Sequence, residues 1–295
     1  MIFVGLSSRS SGQIRGIQVA SALRACGKKA EFLESENRDV IKNKDETIVF
    51  VRSINRDHAK HLKSLGCRIV FDILDRPVAD IHECLKSGNV FSWEKYNIPE
   101  IDEFIVNNSL IKKHLETTTG KTCTVIPHHS VDRSEIIRKN VKIAGYVGLE
   151  DQISNKGQIE EICQKFGIKF ISENPVTRDS CIKCLQNIDL GIINLELNNA
   201  RTDSVLQYKP NTKLTNFQAF GIPTISVPYQ SFVEFGGTGW ISSDNLLEDL
   251  ESFLSSRDLS ARIQEMSETS IIDSKRCSLD SIARLYLDLD KKWRQ

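Results

Sequence analysis

"YKPNTKLTNFQAFGIPTI", running from Tyr208 to Ile225, is the stretch on which the reading of this chain turns. Pro210 suits the first turn of a helix, where its missing N–H is no loss. Asn211 or Thr212 can cap that helix. Leu214, Phe217 and Gln218 follow at helical spacing, and Gly221 can take the left-handed conformation that ends a helix. Pro223 stops the helix and opens a strand, "TISV". The run before it, "DLGII", reads as another strand. The helix thus begins at the carboxyl end of a strand, where open α/β sheets bind ligands. Backbone N–H groups and the positive dipole end favour an anion there, and Lys209 and Lys213 add charge. On these residues alone, a well-capped helix with two solvated lysines is the alternative.

Outward from this stretch, short apolar strands alternate with amphipathic helices. "IFVGL" opens the chain as a strand, and 14–26 reads as a helix with Ile14, Ile17, Ala20 and Leu23 on one stripe. "AEFL", "TIVFV", "CRIVFDIL", "EFIVNN" and "CTVIP" follow, with helical segments over 55–65, 77–87 and 109–116. Strands apolar on both faces argue for a parallel sheet between helices. The polar run "PHHSVDRSEIIRKNVK" marks a domain boundary, giving domains 1–138 and 139–278. The second domain repeats the architecture with "IAGYVG", a helix over 155–166, "IKFI", a helix over 178–187, "DLGII", the quoted helix and "PTISV", then helices to the end. The last helix, 279–295, is amphipathic through Ile282, Leu285 and Leu289, and is expected to pack back on the first domain. Two βα series of similar size predict two doubly wound Rossmann-like domains facing a central cleft.

Composition narrows the function classes. The chain has 295 residues, 40% hydrophobic and 26% charged, which suits a two-domain globular protein. Its formal net charge is zero, so no bulk electrostatic drive toward nucleic acid or anionic membrane exists. The eight cysteines are scattered through apolar patterns and no leader peptide is evident, which predicts reduced thiols in a cytoplasmic setting. No apolar run reaches the roughly 18 residues of a membrane span, so membrane contact would be peripheral.

The quoted stretch resembles the donor-binding motif of GT-B fold glycosyltransferases of the family-4-like group (glycosyltransferase group 1). In that group Pro-x-x-Lys-Leu is followed by Ala-x-Gly-x-Pro and a strand. Pro210, Lys213, Leu214, Ala219, Gly221 and Pro223 match. "SSGQIRGIQVASALRACG" resembles the group's glycine-rich first loop and helix, and "FDILDRP" its Asp-x-x-Asp strand end. "IVNNS", "VIPHHSVD", "AGYVG" and "LQNIDLGII" resemble further segments in the same order. The resemblance implies two Rossmann-like domains, acceptor in the first and nucleotide sugar in the second. It implies donor binding by Tyr208, Lys209, Asn211, Lys213, Asn216 and Glu234, with Gly12, Gln13, Arg15 and Gly16 as an acceptor or phosphate loop. The sequence also departs from the pattern. Tyr208 and Asn216 stand where retaining members carry two glutamates, and Leu149 stands where an arginine follows the Val-Gly. Asn216 could hydrogen-bond a ribose through its amide oxygen.

Other candidates carry a functional and a structural reading side by side. Asp72 ends a buried-looking strand, where a carboxylate can serve as general base or acceptor-hydroxyl binder. Asp75, before Pro77, suits a helix cap. His128 and His129 are adjacent in an extended segment and point to opposite faces, so they chelate poorly as a pair; His128 could face the cleft as a catalytic group. "CIKC" at 181–184 has zinc-knuckle spacing but no second pair, so core packing is expected. "DLD" at 288–290 lies in a terminal helix and is discounted as a metal motif. The expected function is transfer of a sugar from a nucleotide-diphosphate sugar to a hydroxyl of a glycan, lipid-linked or protein acceptor. Retention at the anomeric carbon is expected, with no metal, no other cofactor and no nucleic acid. The placement is cytoplasmic, with the inner face of a membrane as a peripheral location. The alternatives are a non-catalytic binder of nucleotide or glycan, and a nucleotide-sugar epimerase.

Overall fold

The computed structural model of the chain describes residues 1–9, 11–34, 46–195 and 203–293. The chain divides into two compact units. Unit 1 takes Met1–His128, Tyr208–Pro210 and Leu279–Gln295; unit 2 takes His129–Gln207 and Asn211–Ser278.

In unit 1 the described strands are β1 (Ile2–Gly5), β2 (Glu31–Glu34), β3 (Thr47–Val51), β4 (Arg68–Asp72), β5 (Glu103–Val106) and β6 (Thr122–Val125). They pair in parallel in the order β2-β1-β3-β4-β5-β6. Alternate residues point to opposite faces. Ile2, Val4, Ile48 and Phe50 pack with Leu62 of α2 (Arg56–Ser64) and with Ile111 and Leu115 of α4 (Ser109–Thr119). Phe3, Val49 and Val51 pack on the other face with Val19 and Leu23 of α1 (Val19–Ala25), and with Ile282 and Tyr286 of α12 (Leu279–Trp293). Both faces are covered, which is why these strands read as continuous apolar runs. Helix α3 (Arg76–Ser87) follows β4.

Two helical stripes differ from expectation. In the last helix Leu285 is partly exposed, and the buried side is Ile282, Ala283, Tyr286 and Leu289. In the first, a π-helical stretch over Gly12–Gln18 precedes α1. Its wider turn changes the spacing of the buried side, so Gly12, Arg15, Gly16 and Val19 face inward while Ile14 and Ile17 are half-buried. Both glycines are required by close approach. A Cβ on Gly12 would lie 2.0 Å from the Leu6 carbonyl oxygen, and one on Gly16 would lie 2.4 Å from the Phe32 ring.

Arg15 is fully buried. Its Nε donates to Asp72 Oδ2 at 2.9 Å, Nη1 to the Pro127 carbonyl at 2.7 Å and Nη2 to the Ile126 carbonyl at 3.0 Å. Tyr286 Oη donates to the same Asp72 oxygen at 2.7 Å, and burial holds its pKa well above the ordinary tyrosine value. Four separate segments of unit 1 therefore meet at one ion pair.

In unit 2 the described strands are β7 (Ile143–Val147), β8 (Lys169–Glu173), β9 (Leu190–Ile193), β10 (Thr224–Ser226) and β11 (Trp240–Ser242), all parallel in the order β11-β10-β9-β7-β8. Helices α5 (Lys156–Lys165), α6 (Arg178–Gln186), α7 (Asp203–Leu206), α8 (Thr212–Ala219), α9 (Gln230–Phe235), α10 (Leu246–Leu254) and α11 (Leu259–Ser274) connect or flank them. The sequence reading expected only helices after "PTISV"; β11 was missed because it is a three-residue edge strand with no buried residue.

The unit boundary falls at His128/His129, ten residues before the expected one. The polar segment after it hydrogen-bonds into unit 2: Ser130 N–H to the Cys277 carbonyl, Ser134 N–H to the Ala219 carbonyl and Arg138 N–H to Ser267 Oγ. These non-periodic backbone contacts leave no signature in hydropathy. The quoted stretch is also split, since Tyr208, Lys209 and Pro210 belong to unit 1. Helix α8 starts at Thr212 with Asn211 as its N-cap residue, so Pro210 precedes the helix instead of opening it. At its end Gly221 has φ +62°, with Gly221 N–H to Gln218 and Ile222 N–H to Phe217 carbonyls, the paired bonds of a Schellman stop.

Asp72→Asn leaves the buried Arg15 guanidinium without its counter-charge and should cost about 3–5 kcal/mol. Tyr286→Phe removes one hydrogen bond to a charged group and should cost about 1.5–3 kcal/mol. Urea unfolding measures both; an unchanged midpoint for Asp72→Asn would show that unit 1 does not depend on this pair.

Candidate functional site at the carboxyl edge of unit 2

The carboxyl ends of β7 and β9 and the start of α8 come together in unit 2. The Lys213 ammonium, in the first turn of α8, donates to the Val147 carbonyl at the end of β7 at 2.7 Å. It also lies 4.5 Å from the centroid of the buried Tyr146 ring, in cation–π range. Burial raises the Tyr146 pKa above its ordinary value, so the phenol stays neutral beside the cation. Gly148 makes room for this arrangement. Its φ is +152°, and a Cβ there would lie 1.8 Å from Lys213 Nζ. One lysine is thus fixed at the carboxyl edge, at the positive end of α8.

A cavity of about 200 Å³ opens on the same edge beyond β9 and β10. Asn194, Leu195, Gln207, Val227, Tyr229 and Asp244 contribute to its wall. The buried Tyr229 hydroxyl receives the Leu195 N–H at 2.8 Å, and Gln207 Oε1 receives the Gln230 N–H at 2.8 Å. These bonds pin the loops after β9 and β10. Sequence reasoning missed Gln207 and Tyr229, which carry no charge; Tyr229 following Pro228 at a strand end was the one available signal.

The expected donor residues divide. Lys213 stands at this edge. Asn211 is fully buried, its amide donating to Thr215 Oγ1 at 2.5 Å and to Cys277 Sγ at 3.5 Å, so it is packed in the core of unit 2 and does not face a ligand. Its side chain makes no cap bond to α8. Asn216 Oδ1 accepts the Val131 N–H at 2.8 Å, so the oxygen expected to meet a ribose holds backbone near the start of unit 2 instead. Glu234, on α9, accepts from Gln230 Nε2 at 2.7 Å. Tyr208 and Lys209 group with unit 1. The Tyr208 ring packs 5.4 Å from Trp93 and 5.7 Å from His114, and its hydroxyl lies 3.2 Å from His114 Nε2.

The expected catalytic and loop residues of unit 1 are also corrected. Asp72 and Arg15 have no exposed surface and are committed to one another, so neither reaches an acceptor or phosphate. A carboxylate at a strand's carboxyl end met the sequence criterion, but only the tertiary structure shows the arginine closing over it. Gly12 and Gly16 are buried by their close approach to Leu6 and Phe32, a packing role. Gln13 is exposed and donates to the Ser7 carbonyl at 2.7 Å, which ties the loop to itself. His128 is buried at the end of unit 1 and His129 at the start of unit 2. All eight cysteines are free, and burial raises the Cys181 thiol to about 11. Among the described residues no group of three or more His, Cys, Asp or Glu is placed to hold a metal ion.

Gly148→Ala should displace Lys213 and strain the turn after β7, weakening any ligand of this edge by about tenfold or more while leaving the circular dichroism spectrum native. Ligand affinity equal to wild type would show that Lys213's placement is incidental. His114 offers a second check. Burial, helped by Lys113, holds its pKa below the ordinary value. Below that ordinary value the unfolded chain takes up the proton first, so stability is full above it and falls as pH drops toward the folded value. His114→Gln should flatten that part of the stability–pH profile; an unaltered profile would place the titration elsewhere.

No family model matches the chain, and no curated protein matches it. Solved structures do. The chain aligns with Anabaena Alr3699/HepE in complex with UDP-glucose at TM-score 0.62 and 10% identity, over 99% of each chain. It aligns with a trehalose-6-phosphate synthase, studied for glycosyltransfer with retention, at TM-score 0.57 and 9% identity, over 98% of this chain and 99% of that one. It aligns with the pneumococcal O-GlcNAc transferase GtfA in complex with UDP and GlcNAc at TM-score 0.53 and 12% identity, over 93% of this chain and 59% of that one. At these identities the likeness is one of fold: two parallel, doubly wound α/β units of the GT-B class.

Proposed function

We propose that the chain is a glycosyltransferase that moves a sugar from a nucleotide-diphosphate sugar to a hydroxyl acceptor. The observation that carries this reading is Lys213, held by the Val147 carbonyl and the Tyr146 ring at the start of α8. That is where a departing diphosphate would need charge, and a preorganised cation with a helix dipole stabilises it without reorganisation. The bond from the anomeric carbon to the β-phosphate oxygen breaks and a bond to the acceptor oxygen forms. The acceptor proton leaves on the nucleoside diphosphate. The reading assigns charge stabilisation to Lys213 and α8 without a protein-held metal. The cavity beyond β9 takes the nucleoside, and unit 1 takes the acceptor. Retention is part of the reading, supported by the trehalose-6-phosphate synthase of like fold. The two neighbours solved with UDP-glucose or UDP put uridine donors first. A glycan, lipid-linked or protein acceptor fits, with the enzyme in the cytoplasm or peripheral to its membrane. Among the described residues no helix is long and apolar enough to cross a membrane.

The departures at Tyr208 and Asn216 favour a second reading, a non-catalytic binder of the same ligand. The test is thermal shift across UDP-, GDP-, ADP-, CMP- and dTDP-sugars, followed by turnover with the donor that binds. Ligand at 100-fold its dissociation constant should add about 2.7 kcal/mol. The shift should occur with one nucleotide class and be lost in Lys213→Ala, whose own melting temperature stays near wild type. Binding without transfer or slow hydrolysis would select the binder. An undiminished shift in Lys213→Ala would remove the site assignment.

A further inference from the structure

In the described sheets the edge strands are β2 and β6 in unit 1 and β11 and β8 in unit 2. An edge presents backbone N–H and C=O groups that can pair with another chain, and native sheets guard it with charge, proline or shortness. Strand β11 has three residues, β2 carries acids alone at its ends, and β6 carries no charge. Strand β8, "KFISE" over Lys169–Glu173, is the longest of these and differs from them. Its end charges have opposite sign, and its middle is Phe170, Ile171 and Ser172, all half-buried. Lys169 and Glu173 are exposed, and among the described residues neither makes an ion pair. The loop leaving β8 exposes Val176 almost completely (94%), which adds unpartnered apolar surface just beyond the strand.

The hydrogen bonds of β8 fix which backbone groups face outward. The Lys169 N–H goes to the Lys142 carbonyl at 2.9 Å, and the Glu173 carbonyl takes the Gly148 N–H at 2.8 Å. Bonding groups alternate in direction along a strand, so Ile171 also turns to β7. Phe170 and Ser172 therefore point their N–H and C=O groups away from the sheet. A second β8 laid antiparallel on this edge, with the two-fold axis at Ile171, matches all of these features together. Phe170 of each copy exchanges both backbone bonds with Ser172 of the other. Ile171 meets Ile171 as a non-hydrogen-bonded pair, where side chains come closest. Lys169 faces Glu173 at either end, a favourable cross-strand pair of opposite charges. Moving the axis to Phe170 or Ser172 keeps the backbone parity but leaves the charges without partners.

We propose that β8 is the interface of a symmetric dimer of this chain, in which the unit 2 sheets of two copies join edge to edge. The contact is isologous, since both copies use the same strand. Antiparallel pairing points the carboxyl edges of the two sheets in opposite directions, so the pairing does not cover the Lys213 edge of either copy. The dimer does not rest on the reading of the chain as a glycosyltransferase.

The test is sedimentation velocity of the full chain at low ionic strength, from micromolar concentration upward, where exposed charges are least screened. Wild type should pass from monomer to dimer. Lys169→Glu and Glu173→Lys each set like charges opposite one another at both ends of the interface, and each should weaken the dimer about tenfold or more. Mixed in equal amounts, the two variants should form a heterodimer, because opposite charges face each other again. The double variant Lys169→Glu/Glu173→Lys should dimerise with itself as wild type does. Ser172→Pro removes an outward N–H that β7 does not use, and should leave the chain monomeric. Melting curves near wild type for the charge variants separate lost association from lost fold. A wild type that stays monomeric overturns the proposal. A dimer indifferent to both charge reversals lies on another face and overturns it equally, as does a mixture of the two variants that remains monomeric.

Discussion

The buried pair of Arg15 and Asp72 is the constraint around which unit 1 is built. A guanidinium with no exposed surface must spend its donors inside the protein, because an unpaired buried charge is far costlier than the pair. Arg15 does so on β4 and on the Ile126 and Pro127 carbonyls beyond β6, and Tyr286 brings α12 to the same carboxylate. The π-helical turn that precedes α1 places the arginine at that depth, and Gly12 and Gly16 permit the turn to approach β1 and β2. The first loop, the central strand, the end of the last strand and the C-terminal helix are thereby set by one interaction.

Unit 2 uses charge differently. Lys213 is half-buried, with its ammonium donating to the Val147 carbonyl and lying over the Tyr146 ring. A carbonyl and an aromatic face both orient an ammonium. The absence of a side chain at Gly148 is part of the same design, because the space a Cβ would fill is where the ammonium sits. The surrounding loops are held by hydroxyl and amide side chains that pair with backbone, as with Tyr229 and Gln207.

Much of the architecture was legible from local pattern. Strands β3, β4, β7 and β9 are short runs of apolar residues bounded by turn signals, and α2, α4, α5 and α6 have periodic faces, so their positions follow from burial. The order of segments resembling one glycosyltransferase group led to the GT-B class that the solved neighbours share. The failures have physical causes as well. Asp72 and Arg15 look like site residues because each has a charged group near a strand end, and nothing local tells that they are 57 residues apart in sequence yet paired. Asn211 and Asn216 sit at motif positions, but their amides turn to Cys277 and Val131, contacts of 66 and 85 residues' separation.

By itself the sequence determined the alternation of strand and helix, the parallel sheets and the position of Lys213, because these depend on periodicity, turn chemistry and helix termini within a few residues. Tertiary structure decided which polar groups face a ligand and which face each other. That choice paired Arg15 with Asp72, and turned the amides of Asn211 and Asn216 to Cys277 and Val131. Long-range pairing of buried polar groups is selected by the closing of the fold, and no local pattern encodes it.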